Sequence, residues 1–485
     1  MTDRSSNTAT VPDGRGPKGA PSGTLSARHI IFFVIAAAAP LGFAVGSIPL
    51  AIGRGGIGTA AMFIIAGGFL ALFAVGYVAM TRFVPNAGAL FSYITAGLGR
   101  PLGIGVAFVA AISYALVSAG AVGPFAVFAE QTAQSLFGVA VPWPVWALAG
   151  ILVMGLLGQL NVELNMRVLG FFMIAEVTVL AILGVAVVSQ GVASGISMEA
   201  LSPAAIAEGQ IGVVLLFVFA AFAGFEATAL FREEAKHPVR TLRRATFGSI
   251  AVIALLQSFV AWYIVQAFGA TVVDVANATP TEMFAIASRQ YVGDWFANVV
   301  TVLVVLSWFA SVSAFHNATT RYLVALSRDG VIPAIFTRRS RRTNAPWVAS
   351  LTHSLFALVL IVLCILAGLD PYLDLFILGS VPVAVSIPAM ELLTAIAVVT
   401  FFLRDRRGQS PWAVYVAPAV SAIALAIVVY LVLANMEFYT AQTGPINWIL
   451  PGINLVVLGI GVARALWMRS RTPHLYDRIG RFGLE

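Results

Sequence analysis

Stretches of about 20 predominantly apolar residues recur from one end of this chain to the other, the length needed to cross ~30 Å of hydrocarbon. Twelve such spans are expected, near 29–53, 58–82, 101–130, 144–161, 166–189, 209–231, 245–268, 294–320, 347–368, 371–403, 412–434 and 446–468. A chain so patterned has too little polar surface for a soluble fold. Of its 485 residues 60% are hydrophobic and 10% charged, and the mean hydropathy is +0.94. Lipid offers backbone groups no partners, so each span must satisfy its own. The expectation is one all-α integral membrane domain over 29–468.

Basic residues test the span count, because they concentrate on the cytoplasmic side. With the N-terminus inside, all of the 28 Lys and Arg residues except Arg54 and Arg289 fall on that side. A missed or invented helix would scramble this partition. Twelve spans with both termini cytoplasmic, in a plasma or inner cell membrane, are therefore expected. The net charge of +7 and pI of 9.8 then reflect topology, and no nucleic-acid partner is expected. Residues 1–28 are rich in Ser, Thr, Gly and Pro and read as a disordered cytoplasmic tail. They hold no apolar core of a secretory signal, so the first span should stay uncleaved. Residues 469–485 read as a cytoplasmic C-terminal tail.

Few residues here are equipped for catalysis. The single cysteine, Cys364, excludes disulfides within the chain and multi-cysteine metal sites. His29, His237, His316, His353 and His474 are scattered, and neither an HExxH nor a P-loop pattern occurs. No enzyme activity, cofactor or metal is expected.

Breaks inside the spans are more informative. The first span reads HIIFFVIAAAAPLGFAVGSIPLAIG, in which Pro40 removes an N–H and Gly42 loosens the backbone at mid-membrane. The sixth contains FVFAAFAGFE over 217–226, with its weak point at Ala223-Gly224 and a carboxylate at Glu226. A charge at the bilayer centre costs about 2.5–3.5 kcal/mol on insertion scales, so such a group usually faces a cavity, a partner or a substrate path. Broken helices five spans apart fit two inverted repeats with a site at their interface. They suit a closed midplane site better than an open channel. The pattern points to a transporter.

Four local motifs carry a family resemblance. They are VPNAGALFSYITAGLGRPLG after the second span, FAGFEA leading into EEAKHPVRTLRRA, NATTRYLVALSRDGVIPAIF at the end of the eighth, and NVELNMRVLGFFMIAE opening the fifth. In this order the chain resembles the amino acid–polyamine–organocation superfamily of secondary transporters. The resemblance implies a LeuT-like fold: two inverted five-helix repeats plus two C-terminal helices, with helices 1 and 6 broken at the midplane. It also implies alternating access and a small-molecule substrate, an amino acid or related amine.

A broken helix exposes backbone donors on one side of the break and acceptors on the other. The implied substrate-binding residues are Ala38, Ala39, Pro40, Leu41, Gly42 and Phe43 from the first helix. From the sixth they are Ala220, Phe222, Ala223, Gly224, Phe225 and Glu226. Gly42, Phe43 and Ala44 would present donors, and Ala37, Ala38 and Ala220 acceptors. Phe222 and Phe225 would wall the pocket, packing into core or lipid being the alternative. Many family members carry Gly-x-Gly at the first break, where this chain has Pro40-Leu41-Gly42. The lost donor keeps amines open as substrates alongside amino acids.

In proton-coupled relatives a lysine stands in helix 5. Counting from Arg167, its position falls on Glu176. Burial disfavours the ionised form of a carboxyl group, so Glu176 is expected to carry the coupled proton. A structural hydrogen bond to a neighbouring helix is the alternative. Ser311 and Ser313 lie near the hydroxyls that bind sodium in other relatives, though small residues also serve close helix packing. A proton is therefore expected, and sodium less so. Glu226 could bind an ammonium, gate the path or cap the unwound backbone. Glu391 reads as a partner for nearby loop arginines, Glu130 as a solvated end, and Glu163 with Arg167 as an interfacial pair. The run TRRSRRTNAP over 337–346 would lie against the anionic leaflet of the bilayer. An exchanger, a polyamine permease or a transporter-fold sensor without sustained flux remain alternatives at this stage.

Overall fold

The computed structural model describes residues 25–84, 89–159, 162–190, 195–231 and 235–479, and of 162–170 the backbone alone. The tail before Leu25, the loop 85–88, Glu233, Glu234 and the side chains of Glu163 and Arg167 lie outside the described residues.

The first half of the chain forms α1 (Ala27–Ala38), α2 (Pro40–Gly55), α3 (Thr59–Met80), α4 (Ala89–Leu98), α5 (Arg100–Gly120), α6 (Val122–Phe137), α7 (Trp143–Leu157), α8 (Val162–Gln190), α9 (Pro203–Glu208) and α10 (Ile211–Phe222). After a 3₁₀ segment, Phe225–Phe231, come α11 (Pro238–Phe268), α12 (Val272–Ala278), α13 (Met283–Tyr291), α14 (Asp294–Arg328), α15 (Trp347–Leu366), α16 (Gly379–Arg404), α17 (Ala417–Ala434), α18 (Met436–Thr440), α19 (Ile446–Arg471) and α20 (Pro473–Arg478). The described residues contain no strand. One isolated parallel bridge joins Leu25 to Ala235.

Nine helices among the described residues are long and apolar enough to cross a membrane. There are ten if α1 and α2, bent by 44° at their junction, count as one span. Two shorter apolar helices, Trp143–Leu157 and Ile211–Phe222, stand where the fourth and sixth spans are expected.

Helix ends depart from the apolar runs. The third span is expected to end at 130, but helix continues to Phe137 and closes at Gly138, whose φ of 67° suits a glycine C-cap. Hydropathy marks where lipid ends; the backbone stops only at a breaker.

Burial sorts the helices into an inner set and a rim. In the apolar 18-residue stretch of Arg100–Phe137 72% of residues are buried, and in that of Ile446–Arg471 only 17%. Long helix α14 packs on α1, α2, α5, α6, α8 and α15, which places it at the centre. Its approach to α2 depends on two glycines. A Cβ at Gly46 would meet Trp308 Cζ2 at 2.7 Å, and one at Gly42 would meet Ser307 Oγ at 3.1 Å. That close contact puts α14 side chains within reach of the first break. The C-terminal α20 packs beside the start of α5, where Arg100 Nη1 meets Asp477 Oδ1 at 3.1 Å.

Candidate functional site

The first break falls at Ala39. Its φ of 45° and ψ of 67° are left-handed, although it is not a glycine. Pro40, one residue on, disfavours the right-handed helical region for Ala39 and so breaks the helix there. Pro40 itself suits the first position of α2, where an N–H would go unused.

Donors at this helix start therefore begin at Leu41, and side chains from other helices meet them. Leu41 N–H donates to Glu176 Oε2 at 3.3 Å, and Gly42 N–H donates to Ser307 Oγ at 2.9 Å. The Ser307 hydroxyl in turn donates to Glu176 Oε2 at 2.7 Å. Phe43 N–H turns back to Ala39 O at 2.7 Å. From α11, Gln257 Nε2 donates to Pro40 O at 3.2 Å. Glu176 is buried at 2% exposure, so its carboxylate joins α8, α2 and α14 inside the bundle.

The second break falls where the sequence places it. Ala223 leaves the helical region with ψ 128°, and Gly224 takes φ 105°, a value open to glycine alone. The 3₁₀ turn that follows carries Glu226, which is fully buried. Its Oε2 accepts from Gly224 N–H at 2.9 Å, its Oε1 accepts from the Tyr114 hydroxyl, and its main-chain oxygen accepts from Tyr77 Oη at 2.7 Å. Of the roles open to Glu226, the contacts supply the cap on the unwound backbone.

The remaining expected residues sort by exposure. Phe222 is buried with its ring end near Gly67 of α3, and Phe225 is buried edge-on to Phe73 at 6.0 Å. Leu41, Gly42, Phe43 and Ala223 are also buried, and Ala38 is half-buried. Ala220 alone is exposed within α10 after Ile211, and its neighbours one turn either way, Leu216, Phe217, Ala223 and Gly224, are buried. Its carbonyl accepts from Ala223 N–H at 3.2 Å.

Several sequence readings change on contact with the structure. Glu391 is buried at 1% exposure, and its Oε2 meets no partner among the described residues, so no loop arginine pairs with it. Arg407 instead lies over the Phe401 and Phe83 rings. Glu130 accepts from Trp143 N–H at 3.0 Å and so caps α7 rather than meeting only water. Ser311 and Ser313 are buried on α14, and Ser307, on the same helix, places its hydroxyl at the first break. Sequence reasoning missed Ser307, Gln257, Tyr114 and Tyr77. Ser307 precedes Ser311 by one helical turn and shares its face, which is the signal that could have found it.

The charge balance is one-sided. Among the described residues the buried acidic and basic side chains are Glu176, Glu226, Glu391, Asp329, His316 and His353, with no lysine or arginine. No group of three or more metal-ligating side chains occurs among the described residues. A groove of about 500 Å³ lies away from the breaks, between α7 and α15, lined by residues such as Leu152, Leu156 and Leu355.

The amino acid permease family model matches residues 25–462, nearly the whole chain. A branched-chain amino acid permease of Bacillus subtilis is 24% identical over 83% of this chain and 86% of its own length. An uncharacterised transporter of Legionella pneumophila is 30% identical, and the match covers 28% of this chain and 29% of that one. A cationic amino acid transporter of Arabidopsis thaliana is 22% identical over 49% of this chain and 38% of its own. A match of this extent, on an all-helical bundle with apolar helices long enough to cross a membrane, makes the chain a member of the amino acid permease family within the amino acid–polyamine–organocation superfamily, a multi-pass membrane transporter and not an enzyme.

Proposed function

We propose that the protein imports an amino acid across the plasma membrane by alternating access, driven by protons that Glu176 carries. In this reading twelve spans form two inverted five-helix repeats and two C-terminal helices, with both tails cytoplasmic. Three of the apolar helices are short or bent, and two of those, α1–α2 and α10, are the broken ones, as an inverted-repeat transporter requires. The asymmetric spread of Lys and Arg supports the orientation.

The observation that carries the coupling is the position of Glu176. It is a buried carboxylate without a buried basic partner, hydrogen-bonded to the first break and to α14. Helices that rock about the site would change its neighbours, and so its hold on a proton. The substrate amine would take the carbonyl side of the breaks, near Ala38 and Ala220, which are not fully buried. Sodium is the weaker coupling ion, because a carboxylate, Glu176, already stands at the break, bonded to Leu41 N–H and to Ser307 of α14.

The test is uptake of labelled amino acids into proteoliposomes under an imposed pH gradient. Glu176→Gln should abolish gradient-driven uptake while leaving the protein folded. Uptake that survives intact in that variant removes Glu176 from the coupling. Thermal stabilisation by a ligand without any flux would turn the assignment to a sensor.

A further inference from the structure

The start of a helix is a natural anion site, because its first N–H groups point outward and the helix dipole favours negative charge. At the start of α2 that site is occupied by the chain itself. Pro40 has no N–H to offer. Leu41 donates to Glu176, Gly42 to Ser307, and Phe43 to Ala39 O. Glu176 arrives from α8, 135 residues along the chain, and its Oε2 also takes the Ser307 hydroxyl. Directly and through Ser307, one carboxylate thus controls the donors on which a substrate carboxylate would depend.

We propose that Glu176 is a tethered competitor of the substrate's carboxylate, displaced when it takes a proton. This rests on the amino-acid reading given above and adds the order of events. One proton from the outer solution forms an O–H bond on Glu176, and no other covalent bond changes. The neutral acid no longer attracts Leu41 N–H and has a donor of its own to give to Ser307 Oγ. Leu41 and Gly42 then turn to the substrate carboxylate. On the inner side the exchange reverses: the substrate leaves, Glu176 returns to Leu41, and the proton departs to the cytoplasm. One proton moves for each carboxylate bound, because the two carboxylates exclude each other.

Other titrating groups are remote from this exchange. The elements packed on α8 are α1, α2, α11, α13 and α14. At 1.5 Å per helical residue, Arg28 and His29 on α1 stand about 15 Å before the break, and Arg54 on α2 about 20 Å beyond Leu41. On α14, Asp294 lies about 20 Å before Ser307, His316 about 13 Å after it, and Arg321, Tyr322 and Arg328 farther still. On α11, Arg240, Arg243 and Arg244 precede Gln257 by about 20 Å or more. Tyr263 packs beside Gly184, about 12 Å along α8 from Glu176. On α13, Arg289 and Tyr291 lie near the far end of α8, where Gln190 bonds Tyr291 O. On α8 itself Arg167 is about 13 Å away. Among the described residues of these elements, Glu176 is the titrating group at the break.

The experiment measures protons bound on ligand binding by the full-length protein in nanodiscs, in weakly buffered solution between about pH 5.5 and 8. Each standard L-amino acid is paired with its decarboxylated amine, such as leucine with 3-methylbutylamine and arginine with agmatine. The expected result is uptake of one proton per amino acid bound, with affinity falling about tenfold per pH unit where Glu176 is ionised. Amines that bind should do so without proton uptake. In Glu176→Gln the amino acid should bind at every pH with no proton uptake. Binding of an amino acid without protons, proton uptake that persists in Glu176→Gln, or binding of amines alone each overturns the proposal. The wild-type measurement stands even if the variant misfolds. Proton-linked binding without gradient-driven uptake defeats the importer and leaves this competition intact; gradient-driven uptake with proton-silent binding does the reverse.

Discussion

The two helix breaks solve one problem in opposite ways. Each frees backbone groups inside a dry bundle, where an unpaired N–H costs about 1–3 kcal/mol. At the first break, help comes from three other helices: Glu176 on α8, Ser307 on α14 and Gln257 on α11. At the second, the main partner is local, since Glu226 reaches back two residues to Gly224 N–H. The first break is thus braced by three other helices of the bundle. The second is largely self-contained, with Tyr114 and Tyr77 steadying it from α5 and α3. A break held by remote helices can report their motion, and one that holds itself can act as a fixed pivot. Backbone strain runs the other way: the braced break carries a left-handed alanine, the self-capped one a glycine.

Gly224→Ala should give the largest effect. A φ of 105° is open to glycine alone, and forcing a side chain there costs about 1–3 kcal/mol. The turn would also shift away from the geometry that lets Glu226 accept from Gly224 N–H. Thermal stability should fall and uptake should drop about tenfold or more. A variant with wild-type stability and flux would show that the second break is no fixed pivot.

Ser307→Ala comes next and probes the bracing. It leaves the buried Gly42 N–H without its acceptor and removes a donor from Glu176, about 1–3 kcal/mol in all. Tyr114→Phe is the matching change at the second break; it takes one donor from the buried Glu226 carboxylate but frees no backbone group, so its cost should fall at the lower end of the same range of about 1–3 kcal/mol. Glu226 keeps Gly224 N–H in that variant. Thermal unfolding of the two proteins side by side decides the matter. Equal losses, or a greater loss for Tyr114→Phe, would remove the contrast between a braced break and a self-capped one.

Both breaks were legible in the sequence because proline and glycine restrict or free the backbone locally, whatever surrounds them. Glu176 and Glu226 were legible for a related reason: a carboxylate in an apolar run is costly wherever it lies. Ser307, Gln257 and Tyr114 carry no such mark. A serine, a glutamine or a tyrosine in a span is unremarkable until its partner is known, and Ser307 stands 265 residues from Gly42. The pairing of Glu391 with loop arginines failed for the same reason, since proximity along the chain did not become contact. The first break also fell one residue before Pro40 because the proline acts on the residue that precedes it.

Ala39→Gly should have the smallest effect, and its smallness is informative. Ala39 is buried at 3% exposure with φ 45°, and a left-handed alanine costs about 1–2 kcal/mol. Glycine would relieve that strain. It would also loosen the unfolded chain, worth about 0.4–1 kcal/mol in the opposite direction. The two terms nearly cancel, so thermal stability should stay within about 1 kcal/mol of wild type. The same exchange in reverse at Gly224 is expected to be severe, although both sites are breaks in broken spans. If Ala39→Gly destabilises as strongly as Gly224→Ala, the alanine methyl group is needed for packing and the first break is not set by its bracing. If it is neutral in stability but lowers the coupling of proton to substrate, the strained alanine serves to hold Leu41 and Gly42 in register with Glu176 and Ser307.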